Sequence, residues 1–328
     1  MPLPAPYVTR PYRGRADHVL MAPILAAYRR HRGNTGTHTL EEFDVVYANL
    51  TNCDPATDIM LVETTAGEPV AYARVSWEEL GAGRRDYIVF TPTRPDHLGD
   101  ALFLAMIDAQ ERHLRPMAEG VEHARFRGDA AHPGPGLAPT GEAAWLESTG
   151  YRAIRFAAAL VRPHLDDIRH RALPAGVEVR PVTTDDLRTI WEAHQEAFRG
   201  SWDFHEPEEE EYQQFLLDPL RDESLWKVAW AGDTVVGQVK SYINAEENAE
   251  MGYRRGYTED ISTHAHWRNQ GIAGALLAMS LHALKDRGMT DAALGADTDN
   301  PGGAFHLYTS LGFELRSYEA VYTKPITA

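Results

Sequence analysis

Two stretches of the sequence end in the same pattern, 162 positions apart. The first stretch, WLESTGYRAIRFAAALVRP, ends at Pro163, and the second, LYTSLGFELRSYEAVYTKP, ends at Pro325. The glycine inside each stretch keeps the same offset, since Gly150 corresponds to Gly312. A chain that repeats at this length builds one fold twice, so we predict two tandem domains of one type.

Each half also opens alike, with a short strand that ends in Arg-Pro, a polar link and an amphipathic helix. Hairpin patterns that turn at Gly67 and Gly232 follow at corresponding places. This mixture of strands and helices indicates an α+β (α/β-like) fold in which helices cover a sheet. The linker HLDDIRHRALPAG places the first domain at residues 1–165 and the second at residues 166–328.

Composition excludes several classes of function. The 328 residues are 43% hydrophobic and 24% charged, which is typical of a soluble globular protein. No apolar run has the length of a membrane span, and the N-terminus lacks the pattern of a signal peptide. Cys53 is the only cysteine, so no intramolecular disulfide forms, and we expect a cytoplasmic protein. A net charge of −16 argues against nucleic-acid binding.

A bend rich in small residues lies in the second half, in the stretch HWRNQGIAGALL (266–277). Gly271, Ala273 and Gly274 let a ligand approach the backbone closely. The residues after them predict a helix, whose free N–H groups and positive dipole end would face the same ligand. An anion is the natural partner of such a bend, and phosphate is the commonest one.

Two motifs in the second half resemble the signatures of the GCN5-related N-acetyltransferase (GNAT) superfamily. The first, Arg/Gln-x-x-Gly-x-Gly/Ala at a strand-to-helix bend, corresponds to Arg268-Asn269-Gln270-Gly271-Ile272-Ala273. The second corresponds to Asn300, Ala304, Leu307-Tyr308 and Gly312-Phe313, in that order. The resemblance covers residues 177–325 well and residues 7–163 in outline. It implies two tandem GNAT domains, each a mixed, mostly antiparallel twisted sheet flanked by helices, in a two-domain plan like that of mycothiol synthase.

The resemblance also implies that acetyl-CoA is the co-substrate. Backbone amides at the bend would hold its pyrophosphate, and its pantetheine arm would pair with the strand edge before the bend. The residues assigned to acetyl-CoA in this way are Ile261, Ser262, Thr263, Arg268, Asn269, Gln270, Gly271, Ile272, Ala273, Gly274, Asn300, Ala304 and Tyr308. Thr263 departs mildly from the family, which prefers an apolar residue there.

The family transfers an acyl group from a thioester to an amine, which loses a proton while the departing thiolate can accept one. A free thiol has a pKa of about 8.5, so an acid helps without being indispensable. The resemblance gives Tyr308 this role and gives Glu259 the role of general base. Asp260 and His264 are alternative bases. Adjacent strand residues face opposite sides, so Glu259 and Asp260 should not both point into the site.

Simpler roles stay open for these side chains. Tyr308 could pack in the core, and Glu259 could be a solvated carboxylate on a strand. His264 and His266 form the closest histidine pair, yet no third ligand accompanies them in the sequence. We therefore expect no metal site.

The acceptor pocket of the family is shaped by the region between its first two helices, here SWDFHEPEEEEYQQF (201–215). The glutamates after Pro207 suit a helix N-terminus electrostatically, which explains most of the charge. The residues that the resemblance places near the substrate are Trp202, Asp203, Phe204 and Glu206. Aromatic and acidic groups together suit a protonated amine.

The motifs fail in the first half. Its bend, TRPDHLGDALF, keeps Arg94 but has His97 at the position of Gly271, which adds a side chain at the closest approach to a phosphate. Leu146 stands at the position of Tyr308 and has no proton to donate. We therefore predict that the first half is a degenerate copy with a structural role.

The prediction for the whole chain is an acetyl-CoA-dependent N-acetyltransferase that acts on a primary amine of a small molecule or peptide. We expect a monomer or homodimer without nucleic-acid or membrane partners. The alternative is a noncatalytic acyl-CoA-binding sensor or partner protein on the same scaffold. Tyr308 beside an intact bend favours the enzyme, because a sensor would need only the bend.

Overall fold

The computed structural model describes residues 3–33, 39–80, 83–199, 201, 204–298 and 304–326. Its strands, in chain order, are β1 (Tyr7–Pro11), β2 (Ile59–Thr64), β3 (Pro69–Leu80), β4 (Arg84–Phe90), β5 (His123–His132), β6 (Arg152–Arg162), β7 (Glu178–Val179), β8 (Lys227–Ala231), β9 (Thr234–Tyr242), β10 (Arg255–Thr263), β11 (Asp291–Asp297) and β12 (Glu314–Pro325). Its α-helices are α1 (His18–His31), α2 (Leu40–Ala48), α3 (Asp100–Leu114), α4 (Gly141–Ser148), α5 (Leu187–Phe198), α6 (Glu209–Leu217), α7 (Ala245–Met251), α8 (Ile272–Asp286) and α9 (Ala304–Ser310).

The chain divides into two compact units, Met1–Ala157 with Ser317–Ala328, and Ala158–Arg316. This division differs from the simple cut predicted at residues 165 and 166. The reason is that β12, the last strand of the second half in sequence, belongs mostly to the first unit. Strand β6 ends the first half in sequence but runs into the second unit.

In the first unit the strands follow the order β1-β2-β3-β4-β5-β12. Neighbouring strands are antiparallel except β4 and β5, which are parallel. The register between β12 and β5 runs from Tyr318↔His132 to Pro325↔Arg125. Residues 318–325 of the last strand are therefore paired within this unit.

Buried side chains from several elements share one core in the first unit. Tyr87 of β4, Phe126 of β5, Leu146 of α4 and Tyr322 of β12 belong to the same cluster and are almost completely buried. Each aromatic ring of this size removes a large apolar surface from water, which is the main favourable term in folding. Tyr322 thus makes β12 part of the core of the first unit.

In the second unit the strands follow the order β11-β10-β9-β8-β7. The pairs are antiparallel except β10 and β11, which are parallel. Helices α5 and α8 both pack on β9 and β10. The predicted fold class is confirmed, because each unit is a mixed, mostly antiparallel sheet flanked by helices.

A hydrophobic cluster fixes α5 on this sheet. It contains Leu187 and Ile190 of α5, Val228 and Trp230 of β8, and Val235 of β9, all of them buried. In the part of the chain that the structure describes, no helix is both long and apolar enough to cross a membrane.

Candidate active site

Strands β10 and β11 stop pairing after three residue pairs. Their parallel register runs from Arg255↔Asp291 to Tyr257↔Ala293 and, among the described residues, goes no further. On its other edge β10 stays paired with β9 as far as Thr263↔Gly237. We call the space between residues 258–263 of β10 and residues 294–297 of β11 the second-half wedge. It leaves one edge of β10, including Ile261 to Thr263, available to an extended ligand.

The glycine-rich bend follows directly and ends in the N-terminus of α8. Asn269 and Gly271 both have left-handed backbone, with φ of +61° and +83°. The amide of Ala275 bonds to the carbonyl of Gly271 at 3.0 Å, which closes the first turn of the helix. The amides of residues 271–274 come before that bond and point out of the helix end. Such a run of amides forms a concavity that suits an anion.

A bulge interrupts β10 at the wedge. Its register with β9 shifts between Glu259 and Ser262, and Asp260 has a φ of +48°, which is strained for a non-glycine residue. The carboxylate of Glu259 crosses the wedge, where its Oε1 accepts a hydrogen bond of 3.2 Å from the amide of Gly295 on β11. The bulge therefore gives the two neighbouring carboxylates different surroundings.

The surroundings of Glu259 favour its neutral form. Burial and the charge of Asp260, opposed by the hydrogen bond from the amide of Gly295, together raise the pKa of Glu259 to about 8. A carboxylate with a pKa this close to neutral can release and accept a proton under ordinary conditions.

The charge of Glu259 acts on Tyr308 of α9. Its side chain is buried, and its ring meets Phe313 edge-on with 6.3 Å between centroids. Burial, together with the charge of Glu259, raises the pKa of Tyr308 to about 12. Tyr308 therefore packs in the core by its ring and keeps its proton available.

Asp260 joins a second cluster on the side of α5. Its Oδ2 accepts a hydrogen bond of 2.9 Å from Nζ of Lys240, and Nε2 of His194 lies 3.8 Å from its Oδ1. Burial raises the pKa of Asp260, but Lys240 and His194 outweigh that effect, so the net shift is downward. Burial lowers the pKa of His194 to about 4. At neutral pH this cluster holds an ionised carboxylate and a neutral imidazole.

Comparison with known proteins agrees with this geometry. Residues 187–313 match the family model described as acetyltransferase (GNAT) family. The second half of the chain is therefore similar to the GNAT family. The matched residues run from the start of α5 to Phe313, so they include the wedge, the bend and Tyr308.

Solved structures show that the GNAT fold occurs in tandem along the whole chain. A GCN5-related N-acetyltransferase from Sphaerobacter thermophilus has a TM-score of 0.72 at 22% identity, covering 99% of this chain and 98% of that one. A tandem GNAT protein from the clavulanic acid biosynthesis pathway has a TM-score of 0.67 at 14% identity, covering 98% of each chain. N-myristoyltransferase from Saccharomyces cerevisiae, with bound myristoyl-CoA, has a TM-score of 0.60 at 13% identity, covering 100% of this chain and 81% of that one. At these identities the likeness is one of fold. No curated protein matches this chain.

The GNAT fold in general supports acyl-CoA-dependent transfer to an amine. In this chain, however, several residues predicted to bind the co-substrate form hydrogen bonds within the protein. Arg268 donates from Nη2 to the carbonyl of Ala197 at 2.7 Å and from Nε to the carbonyl of Thr263 at 3.3 Å. It thereby ties the bend to the last turn of α5. Gln270 donates to the carbonyl of His266 at 3.2 Å. Contacts of these two side chains with a phosphate stay a prediction.

The alternative base His264 has a local structural role. Its amide bonds to the carbonyl of Val236 at 3.0 Å, and its Nδ1 accepts from the amide of His266 at 3.3 Å. These contacts cap the short turn between β10 and the bend. Within the described ranges, no group of three or more histidine, cysteine, aspartate and glutamate side chains is arranged to hold a metal.

Only some of the predicted acceptor residues are among the described residues. Trp202, Asp203 and Asn300, the last of these predicted to bind acetyl-CoA, lie outside the described residues. Glu206 forms an ion pair with Arg199, and the guanidinium of Arg199 lies 5.3 Å from the ring centroid of Phe204. The charge of Glu206 is therefore already countered within the protein.

Sequence reasoning missed Lys240 and His194. A signal for Lys240 existed, because it is a lone charge in the apolar strand TVVGQVKSY and is 7% exposed. A buried lysine needs a carboxylate partner, and Asp260 supplies it. His194 gave no comparable signal, since a histidine on an amphipathic helix is common.

Proposed function

We propose that this protein is an acyl-CoA-dependent N-acyltransferase, and specifically an acetyltransferase that acts on a primary amine of a small molecule or peptide. One observation carries the proposal. The charge of Glu259, whose own pKa is raised, also raises the pKa of Tyr308 at the second-half wedge, and the bend that begins α8 follows β10 directly in the chain. A donor site and an acid–base pair thus occur together.

The wedge and the bend fit the two ends of acyl-CoA. The amides of residues 271–274 and the positive end of the α8 dipole suit the pyrophosphate. Gly271 has open space where a Cβ would stand, so its left-handed φ rather than crowding is what requires glycine. The free edge of β10 offers backbone groups that a pantetheine arm can pair with, as an added strand does.

The side chains supply the proton transfers. The amine nitrogen attacks the thioester carbonyl carbon, and Glu259 takes the proton that the nitrogen must lose. The carbon–sulfur bond then breaks, and the hydroxyl of Tyr308 donates a proton to the departing sulfur. A base with a pKa of about 8 is well matched to an amine at neutral pH.

A noncatalytic acyl-CoA sensor is the second candidate. Such a protein needs the bend and the free strand edge. It has no use for a carboxylate of raised pKa held by Gly295 opposite a phenol, and this pair favours the enzyme.

The remaining parts of the proposal concern the donor and the first half. We take acetyl as the acyl group, although one protein of similar fold, N-myristoyltransferase, was solved with bound myristoyl-CoA. The first half is proposed to be a noncatalytic domain, and the protein to act in the cytoplasm.

A screen for thiol release tests the proposal. Acetyl-, octanoyl- and myristoyl-CoA are each incubated with a library of primary amines, and free CoA thiol is read with a thiol-reactive dye. We expect acetyl-CoA to support amine-dependent release, and the double variant Glu259→Gln, Tyr308→Phe to lose it. Calorimetric binding of CoA without release for any amine would instead establish the sensor.

A further inference from the structure

Arg171 lies in the groove between α8 and α9, within the second unit. Its Nη2 donates to Oγ of Ser310 on α9 at 3.1 Å. A Cβ built on Gly274 would stand 2.9 Å from its Nη1 and 3.2 Å from Cδ1 of Leu307. The guanidinium therefore rests against the first turn of α8, in space that exists only because residue 274 is glycine.

No carboxylate counters this cation among the residues that the structure describes. The chain as a whole has 48 acidic against 32 basic residues. Arg162, the last residue of β6, forms an ion pair with Asp167. Arg171 has only the neutral hydroxyl of Ser310, so its charge is available to a ligand.

We propose that Arg171 is a pyrophosphate-binding residue of the donor site. This inference rests on the proposed function, because it takes the second-half bend as the site of CoA. The amide of Gly274 is one of the free amides at the start of α8, so an anion held there is next to the guanidinium of Arg171. A guanidinium offers a planar fork of donors that matches phosphate oxygens.

The assignment identifies a donor specificity. The family signature at the bend supplies backbone amides, whereas Arg171 comes from the segment that precedes β7, far from that signature in sequence. It adds a full positive charge on the α9 side of the groove. The site then favours a donor that carries a pyrophosphate over a thioester on bare pantetheine.

Calorimetry with CoA and with 3′-dephospho-CoA tests this inference. Both ligands carry the pyrophosphate, and only CoA carries the 3′-phosphate. We expect Arg171→Ala to weaken binding of both by about tenfold or more, since hydrogen bonds to charged groups are among the stronger ones. Arg171→Lys keeps the charge but loses the fork, so its loss should be smaller.

Arg169→Ala is the matched control. It removes an equal charge two residues away, from an exposed side chain, and should leave both affinities unchanged. Gly274→Ala is a second variant that keeps Arg171 but displaces it from the groove, and it should weaken binding in the same direction. Melting temperatures of all variants check that each one folds.

The outcomes separate this inference from the proposed function. If the unmodified protein does not bind CoA, the proposed function fails. If it binds CoA and Arg171→Ala behaves like Arg169→Ala, the role of Arg171 is overturned while the donor site stands. A loss seen with CoA but absent with 3′-dephospho-CoA would overturn the pyrophosphate assignment in favour of the 3′-phosphate.

Discussion

The chain makes a similar strand-to-helix bend twice, before α3 in the first half and before α8 in the second. The two bends differ in the groups that surround their arginine. In the first bend Arg94 forms ion pairs with Glu68 and Asp96, so its charge is cancelled. In the second, Arg268 binds only backbone carbonyls among the described residues. The comparison teaches that an arginine retained by the motif does not by itself preserve an anion site.

The helix starts differ in the same sense. Gly99 before α3 has extended backbone with a φ of −152°, whereas Gly271 before α8 is left-handed. Oδ1 of Asp100 accepts a hydrogen bond of 2.7 Å from the amide of Ala101. The first half thus places its own carboxylate where the second half leaves amides for a ligand.

The wedges differ as well. Parallel pairing of β4 with β5 continues to Ile88↔Arg127, five residue pairs against three in the second half. Leu146 is buried beside a cavity of about 150 Å³, whose charged walls include an ion pair of 2.6 Å between Arg32 and Glu319. A packed leucine and a paired charge replace the phenol and carboxylate of the second-half wedge.

The largest expected effect tests whether only the second bend binds CoA. Gly271→Asp adds bulk, negative charge and an unfavourable left-handed side chain at the pyrophosphate, and like-charge contacts cost several kcal/mol. We expect calorimetry to show one CoA per chain in the unmodified protein and no measurable binding in the variant.

The first-half counterpart sharpens this comparison. His97→Gly restores the glycine of the motif but leaves the carboxylates of Asp96 and Asp100 in place. It should add no CoA site. A stoichiometry near two in either protein would show that the first half is not degenerate.

The next effect concerns the base. Glu259→Gln keeps the size and the hydrogen bond to Gly295 but cannot take a proton, so kcat/KM should fall about a hundredfold to ten-thousandfold. In the unmodified enzyme kcat/KM should rise with pH and level off above a pKa of about 8, because only the ionised carboxylate is a base. The variant should lack that rise in its pH profile.

Asp260→Asn is the control for this assignment. The charge of Asp260 helps to raise the pKa of Glu259, so its removal should move the rise to lower pH while activity persists. Loss of the rise in Asp260→Asn, with the rise intact in Glu259→Gln, would transfer the role of base to Asp260.

Much of the fold and part of the candidate site could be predicted from local sequence. The repeat and the element patterns gave the mixed sheets and the tandem plan. The spacing of Gly271, Tyr308 and Gly312 gave the bend and the helix that carries the phenol. These features depend on residues close together in the chain, which periodicity and turn chemistry describe.

The rest depends on contacts between distant segments. The amide of Gly295 meets Glu259 across 36 positions, and Lys240 meets Asp260 only because a bulge turns that residue aside. The sequence of β12 does not reveal that this strand belongs mostly to the first unit, because it matches the sequence at the end of the first half. Arg171 belongs to a segment whose composition predicted a linker.

A smaller loss is expected from the acid. Tyr308→Phe keeps the packing on Phe313 and removes only the hydroxyl, so kcat should fall about tenfold while the calorimetric affinity for CoA is unchanged. The loss is modest for general acid catalysis because a thiolate leaves readily. Leu146→Tyr, the reciprocal change in the first half, should add no activity. An unchanged kcat in Tyr308→Phe would leave the residue a purely packing role.

The smallest effect is a difference in stability between the two neighbouring carboxylates. Glu259 has a folded pKa of about 8 against an ordinary value of 4.5, so the unfolded chain loses this proton first as the pH rises. Its contribution to stability is present below pH 4.5 and is lost as the pH rises through about 8. Glu259→Gln should therefore melt higher than the unmodified protein, by an amount that grows across this range to a few degrees and is constant above it.

Asp260 should show the opposite sign. Its folded pKa lies below the ordinary 3.8, so its charge stabilises the fold at neutral pH and this contribution is lost as the pH falls through the folded pKa. Asp260→Asn should melt lower at pH 7, because Lys240 would be left nearly buried without its carboxylate. Thermal melts of both variants between pH 4 and pH 9 check the pair. Equal shifts of the same sign would mean that the bulge does not give the two carboxylates opposite pKa shifts. They would also mean that burying Glu259 at the wedge does not reduce the stability of the fold.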